Sequence, residues 1–130
     1  MFFTLDRIVV ESGAKLDGDG GGYSAREGPG AGTYREGGSY ASLGGNVASK
    51  KYYGSFYIPH HPGSGGYAAS GGSWINVTAG GFVKVDGTLS NSGLFGSVGG
   101  GSGGSLLIYS PYLLGYGQII CNGGETKSYC

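Results

Sequence analysis

Between Ile75 and Leu89 apolar and polar residues trade places. Ile75 and Val77 alternate with Asn76 and Thr78, Val83 and Val85 flank Lys84, and Leu89 follows beyond Asp86. Successive side chains of a strand point to opposite faces, so this pattern predicts strand with one buried face. Two further stretches behave alike: "TLDRIVVESGAKLDGDG" from Thr4 to Gly20, and "SLLIYSPYLLGYGQIICNGG" from Ser105 to Gly124. No stretch sustains a 3.6-residue period with caps, so the chain reads as all-β. Gly-Gly and Asp-Gly steps separate the strands and supply turns. The tract Gly99–Gly104 reads as a corner or protruding turn that feeds the strand "SLLIYS".

The three stretches align on Leu16, Leu89 and Ile119. Each has an apolar residue six positions earlier (Val10, Val83, Leu113) and a glycine four positions later (Gly20, Gly93, Gly123). The copies are taken as 4–20, 73–93 and 105–124 of a single module spanning 1–130, with 21–72 as an insertion. Short strands in a recurring unit suggest coils that stack because none buries its apolar face alone, as in a parallel β-solenoid. Glycine suits the bends of such coils. A glycine-rich polyproline-II bundle is set aside, because the glycines do not keep a period of three.

Composition tempers this picture without overturning it. Of 130 residues 32 are Gly and 4 are Pro, a level at which disorder is the first suspicion. Against that, Leu, Ile, Val and Phe together number 27 and the formal net charge is zero, whereas disordered chains pair few large apolar residues with high charge. The 8 basic and 8 acidic residues form no basic stripe, which argues against a nucleic-acid partner. No apolar run reaches the ~18 residues of a membrane-spanning helix. "MFFTLDRIVV" lacks the layout of a secretory signal. The chain, ending on Cys130, reads as an excerpt of a longer product.

The tract "GGGSGGSLLIYSPYLLGYGQIICNGG" resembles the Gly-rich repeat of very large extracellular and cell-surface proteins of microbial eukaryotes and some bacteria. "SWINVTAGGFVKVDGTLSNSG" is similar to that family's companion repeat. "SYASLGGN" followed by "YYGSFYIPHHPGSGG" is similar to its connecting segment. The segments come in the family's order, over most of the chain. Cys121 departs from the pattern, where a small residue is usual, and so do His60 and His61, where polar or acidic residues are common. The resemblance implies a right-handed β-helix used as a stalk or surface scaffold, extracellular, with no attached chemistry or cofactor.

Candidate chemistry is sparse. Asn76-Val77-Thr78 is an N-glycosylation sequon, with Asn76 on the face opposite Ile75 and Val77. Eight residues separate Cys121 from Cys130. A bridge between them would close a small loop worth about 2–3 kcal/mol, and Cys130 pairing with a neighbouring chain is the alternative. Asp17 and Asp19 begin like a calcium loop, but the third acidic ligand is missing and Gly28 stands where the bidentate Glu belongs, so the segment reads as a turn. His60 and His61 lie between prolines, and neighbours in an extended segment point apart, so they read as an exposed loop rather than one metal site. "GDGGG" and "GGGSGG" lack the Lys-Ser/Thr and helix of a phosphate loop. The acids are scattered, without the paired carboxylates of a glycosidase, so an enzyme is not expected. Seven tyrosines of the insertion (23, 34, 40, 52, 53, 57 and 67) are read as rings laid over glycine backbone.

Two functional readings emerge. The first is a self-assembling structural module whose copies stack head to tail into a fibre or stalk. The second is a carbohydrate-binding or adhesive module, with glycans as partner and Tyr and Trp74 rings as platforms.

Overall fold

The computed structural model describes residues 1–45, 52–55 and 57–127. The described residues contain strands and no helix. In chain order the strands are β1 (Phe2–Val10), β2 (Lys15–Asp17), β3 (Trp74–Val85), β4 (Thr88–Ser90), β5 (Ser105–Tyr109), β6 (Leu113–Leu114) and β7 (Gln118–Ile120). The chain makes three passes, each a longer stretch of strand followed by a bend and a short strand. β3 lies between β1 and β5, with β6 continuing along the β5 side, while β4 lies between β2 and β7. Every pairing is parallel. The result is two parallel sheets, each with the second pass in the middle.

Register places like on like. Leu16, Leu89 and Ile119 occupy one ladder position in β2, β4 and β7. Along the other sheet Phe3, Val77 and Ile108 share a position, as do Ile8, Val83 and Leu113. The inward side chains of the middle pass, Ile75, Val77, Ala79, Val83, Val85 and Leu89, form the core with Val10, and Phe3, Ile8, Leu16, Leu106 and Ile108 pack on it. The gradient across the passes follows from position. Leu89, covered on both sides, is 1 % exposed, whereas Ile119 at the rim is 43 % exposed.

Two local irregularities have clear causes. Leu5 pairs with Ala79 but Arg7 pairs with Phe82, so Gly80 and Gly81 stand opposite Asp6 alone in a β-bulge. At the first bend the expected alignment fails. Val10 pairs with Val85, and Ile8 takes the place beside Val83 expected of Val10. The first pass spends four residues (Glu11–Ala14) between its strands where the second spends two (Asp86 and Gly87), which slips one side of the alignment by two positions.

The insertion and the glycine tracts build a second packed region, made of backbone. Gly71 donates to Tyr23 O (3.0 Å) while its neighbour Gly72 donates to Ser102 O (2.9 Å), so consecutive amides bind different neighbours. Ser102 in turn donates to Ser64 O (3.0 Å), Gly38 to Gly100 O (2.9 Å) and Gly124 to Gly101 O (2.7 Å). Gly99, Gly100 and Gly101 are therefore buried, not a corner or a protruding turn. Absence of side chains is what permits this approach: a Cβ on Gly101 would run into Ser70 O, and one on Gly66 into Gly100 O. No period of three is needed, because each segment meets its neighbours through its own set of close approaches.

Gly101→Ala is expected to destabilise by about 3 kcal/mol or more, since backbone rather than a movable side chain blocks the new methyl. Gly80→Ala, whose Cβ would meet nothing nearer than an Asp6 carboxylate oxygen at 3.8 Å, is expected to stay within about 0.5 kcal/mol of the parent. Chemical denaturation of the two variants side by side checks both.

Candidate functional site

Asp19 is the most connected polar side chain of the three passes. It follows β2 at the second bend. Its Oδ1 accepts from the Ser90 hydroxyl (2.6 Å) and from the Ser92 amide (2.6 Å), and its Oδ2 accepts from Lys15 Nζ (3.2 Å). Its own amide donates to Asp17 Oδ1 (2.9 Å), and Lys15 also pairs with Asp17 at 3.1 Å. Partial burial works against ionisation, but the Ser90, Ser92 and Lys15 bonds outweigh it and hold the carboxyl below its ordinary range. Asp19 thus ties the first pass to the second through protein donors, while the Asp17 carboxylate braces Asp19 and Lys15 within the first pass. Among the described residues no group of three or more His, Cys, Asp or Glu side chains is placed to hold a metal ion.

Asn91 ties the passes from inside. Fully buried, its Nδ2 donates to Ser73 O and to Ser105 O, both at 2.8 Å, and so links the openings of the second and third passes. Its Oδ1 has no hydrogen-bond partner and sits 2.7 Å from where a Cβ on Gly18 would stand. The backbone atoms that recruit Asn91 lie 14 and 18 residues away, beyond the reach of a local motif.

A relay pins the insertion. Gly30 N–H donates to Ser64 Oγ (2.9 Å), Ser64 Oγ–H to Tyr53 Oη (2.9 Å), and Tyr53 Oη–H to Pro62 O (2.5 Å). Burial, chiefly, pushes the Tyr53 phenol up to about 12, so it stays a neutral donor. The Tyr40 ring meets Tyr53 edge-on at 5.0 Å and covers Gly54, and the Tyr23 ring covers Gly28. Rings over glycine backbone are thus present at Tyr23 and Tyr40, while Tyr34, Tyr52 and Tyr57 stand exposed. His60 and His61 do not point apart as expected. Their rings lie 4.0 Å centre to centre, and the His61 ring also abuts Tyr53 at 5.9 Å. His60 Nδ1 lies 2.7 Å from Ile58 O, which accepts its proton, and the His61 Nδ1 is buried.

The other residues singled out in the sequence are dispersed. Asn76 is half-buried on the outer face of β3, between Phe2 and Leu107, with Ile75 and Val77 buried behind it. Cys121 is exposed and forms no disulfide among the described residues; its suggested partner Cys130 lies outside them. Trp74 is partly buried; it meets Phe2 edge-on at 4.7 Å and its indole nitrogen is buried. An open groove of about 850 Å³ has a floor of glycine backbone, with Arg35, Tyr40, Cys121 and Lys127 around it. Among the described residues no carboxylate or imidazole lines it; the titratable side chains there are Arg35, Tyr40, Cys121 and Lys127.

Comparison with protein-family models, curated proteins and solved structures finds no match. No helix among the described residues is long and apolar enough to cross a membrane.

Asp19→Ala is expected to cost about 1–3 kcal/mol at neutral pH, the worth of hydrogen bonds to a charged group. The folded carboxyl ionises below its unfolded value, so its contribution is present above the ordinary carboxylate range and is lost as pH falls through the folded value. The gap in denaturation midpoint between parent and variant should therefore be full at pH 7 and close at strongly acid pH. A gap that widens on acidification contradicts the assignment.

Proposed function

We propose that this chain is a right-handed parallel β-helix module that builds a fibre or cell-surface stalk outside the cell, copies adding end to end, with no catalytic role. The observation that carries the reading is the parallel register of three passes, in which like apolar residues stand in columns and, among the described residues, both outer passes keep one ladder side unpaired. Unpaired strand edges are templates for pairing with another chain. A contact between two different surfaces of the same molecule continues as an open filament wherever its rotation does not close. The resemblance of the Gly-rich segments to repeats of large surface proteins points the same way. Glycosylation at Asn76 and a bridge from Cys121 to Cys130, within or between chains, belong to this reading.

A carbohydrate-binding role is the second reading, favoured by one observation. Tyr109, Tyr112 and Tyr116 of the third pass are all exposed, as ring faces that stack on sugars must be.

Negative-stain electron microscopy of the purified chain at rising concentration separates the two. The structural reading expects unbranched filaments that lengthen with concentration. Monodisperse particles at every concentration, together with retention on a polysaccharide column that a Tyr109→Ala, Tyr112→Ala, Tyr116→Ala variant loses, would favour the second.

A further inference from the structure

The two outer passes are not equivalent surfaces, and their differences are complementary. β1 pairs with β3 on one side, and its other side carries exposed Phe2, Leu5 and Val9. At the opposite rim β6 and β7 present exposed Leu113, Leu114 and Ile119, flanked by Tyr109, Tyr112 and Tyr116. From Gly87 to Gly124 the sequence holds no charged residue, so the rim of the third pass is neutral. The first pass carries Asp6, Arg7, Glu11, Lys15, Asp17 and Asp19. Two first passes set edge to edge would crowd the charges of both copies into one interface. A first pass set on a third pass meets no like charge. The edge charges that suppress pairing are confined to one end.

Register supplies the occupant. Inside the molecule each inward residue stands on its counterpart one pass away: Ile8 on Val83 on Leu113, and Leu16 on Leu89 on Ile119. A further first pass laid on the third continues every column with a residue of matching character, bringing Ile8 onto Leu113, Leu16 onto Ile119 and Phe3 onto Ile108. The one interruption also matches. β5 and β6 are separated by Ser110–Tyr112, which lie opposite the bulge of β3, and Asp6 of the incoming pass falls at that same break.

Resting on the end-to-end reading above, we infer that the partner of the third pass is the first pass of a second copy of this chain. It docks in parallel, in the same register that relates the passes within one copy. The contact buries Leu113 and Ile119, now 55 % and 43 % exposed, and adds a fourth layer to both sheets.

Disulfide trapping tests the register. In a chain whose own cysteines are replaced (Cys121→Ser, Cys130→Ser), Val9→Cys is combined with Leu114→Cys. Both sites are exposed and share the column through Lys84. Within one copy they are two ladder spacings apart, roughly 9–10 Å, too far for a disulfide, whereas across the inferred interface they are neighbours at ~4.8 Å. Mild oxidation should give a ladder of covalent multimers on non-reducing gels. Val9→Cys with Leu107→Cys, a column far along the strand, should give none. A second variant, Leu113→Lys with Ile119→Lys, should abolish assembly; its unfolding midpoint should fall as well, because both side chains also stand on Val83 and Leu89 within one copy, so assembly is read at a temperature where the variant's own unfolding transition shows it folded. Filaments without in-register disulfides, or filaments undiminished by the two lysines, overturn this interface while leaving end-to-end assembly standing. A chain that stays monomeric by sedimentation at every concentration overturns both.

Discussion

The structure depends on parallel register between three passes of chain. A β-strand with one apolar face is stable when neighbours cover its backbone groups and other side chains cover its face, and here the second pass receives both. Ile75, Val77 and Leu89 are sealed because homologous positions of the first and third passes stand on either side of them. A slip of one residue would turn every inward side chain to the opposite face. Asp19 and Asn91 guard against such a slip from two sides. One carboxylate reaches from the first pass to Ser90 and Ser92 of the second, and one buried amide reaches from the second to the openings of the second and third. Both are specific to position, so they lock what the apolar columns make favourable.

The glycine-rich half works by a different rule. Its segments approach through backbone alone, and the density that side chains normally supply comes from the nearness of peptide groups. Glycine is costly to order, because it has the most conformational freedom to lose. The compensation is a dense set of backbone hydrogen bonds, as in Gly71 and Gly72 donating to Tyr23 and Ser102. Aromatic rings finish the job where the backbone alone leaves a surface open, with Tyr23 over Gly28 and Tyr40 over Gly54. The relay through Ser64 and Tyr53 then fastens the insertion across itself.

Much of the strand half was legible because a period of two is a local signal. The alternation around Ile75 and Val83 can be read from a dozen residues, and the anchors Leu16, Leu89 and Ile119 stand together in the ladders. Val10 misled because one bend is two residues longer than its counterpart, and an alignment without gaps cannot express that. The role of Gly99–Gly104 was hidden for a deeper reason. Glycine carries no side chain to form a pattern, and its partners lie at Ser70, Glu36 and Gly124, far away along the chain. Asn91 escaped notice likewise, since what makes it structural is the pair of remote carbonyls it meets, and Tyr53 was read only as a ring because the hydroxyl relay through Ser64 leaves no local pattern. The histidine pair shows the limit of a local rule: an extended dipeptide would splay the rings, yet His60 and His61 lie close, with Tyr53 beside them.

The central claim is that Leu16, Leu89 and Ile119 form one column. Methyl-labelled NMR on a Leu- and Ile-labelled sample, kept below the concentration at which copies associate so that every contact lies within one copy, addresses it directly. The account predicts nuclear Overhauser contacts from the Leu89 methyls to those of both Leu16 and Ile119, and none between Leu16 and Ile119, which stand two passes apart. Leu89 in contact with neither, or Leu16 touching Ile119 directly, would contradict it.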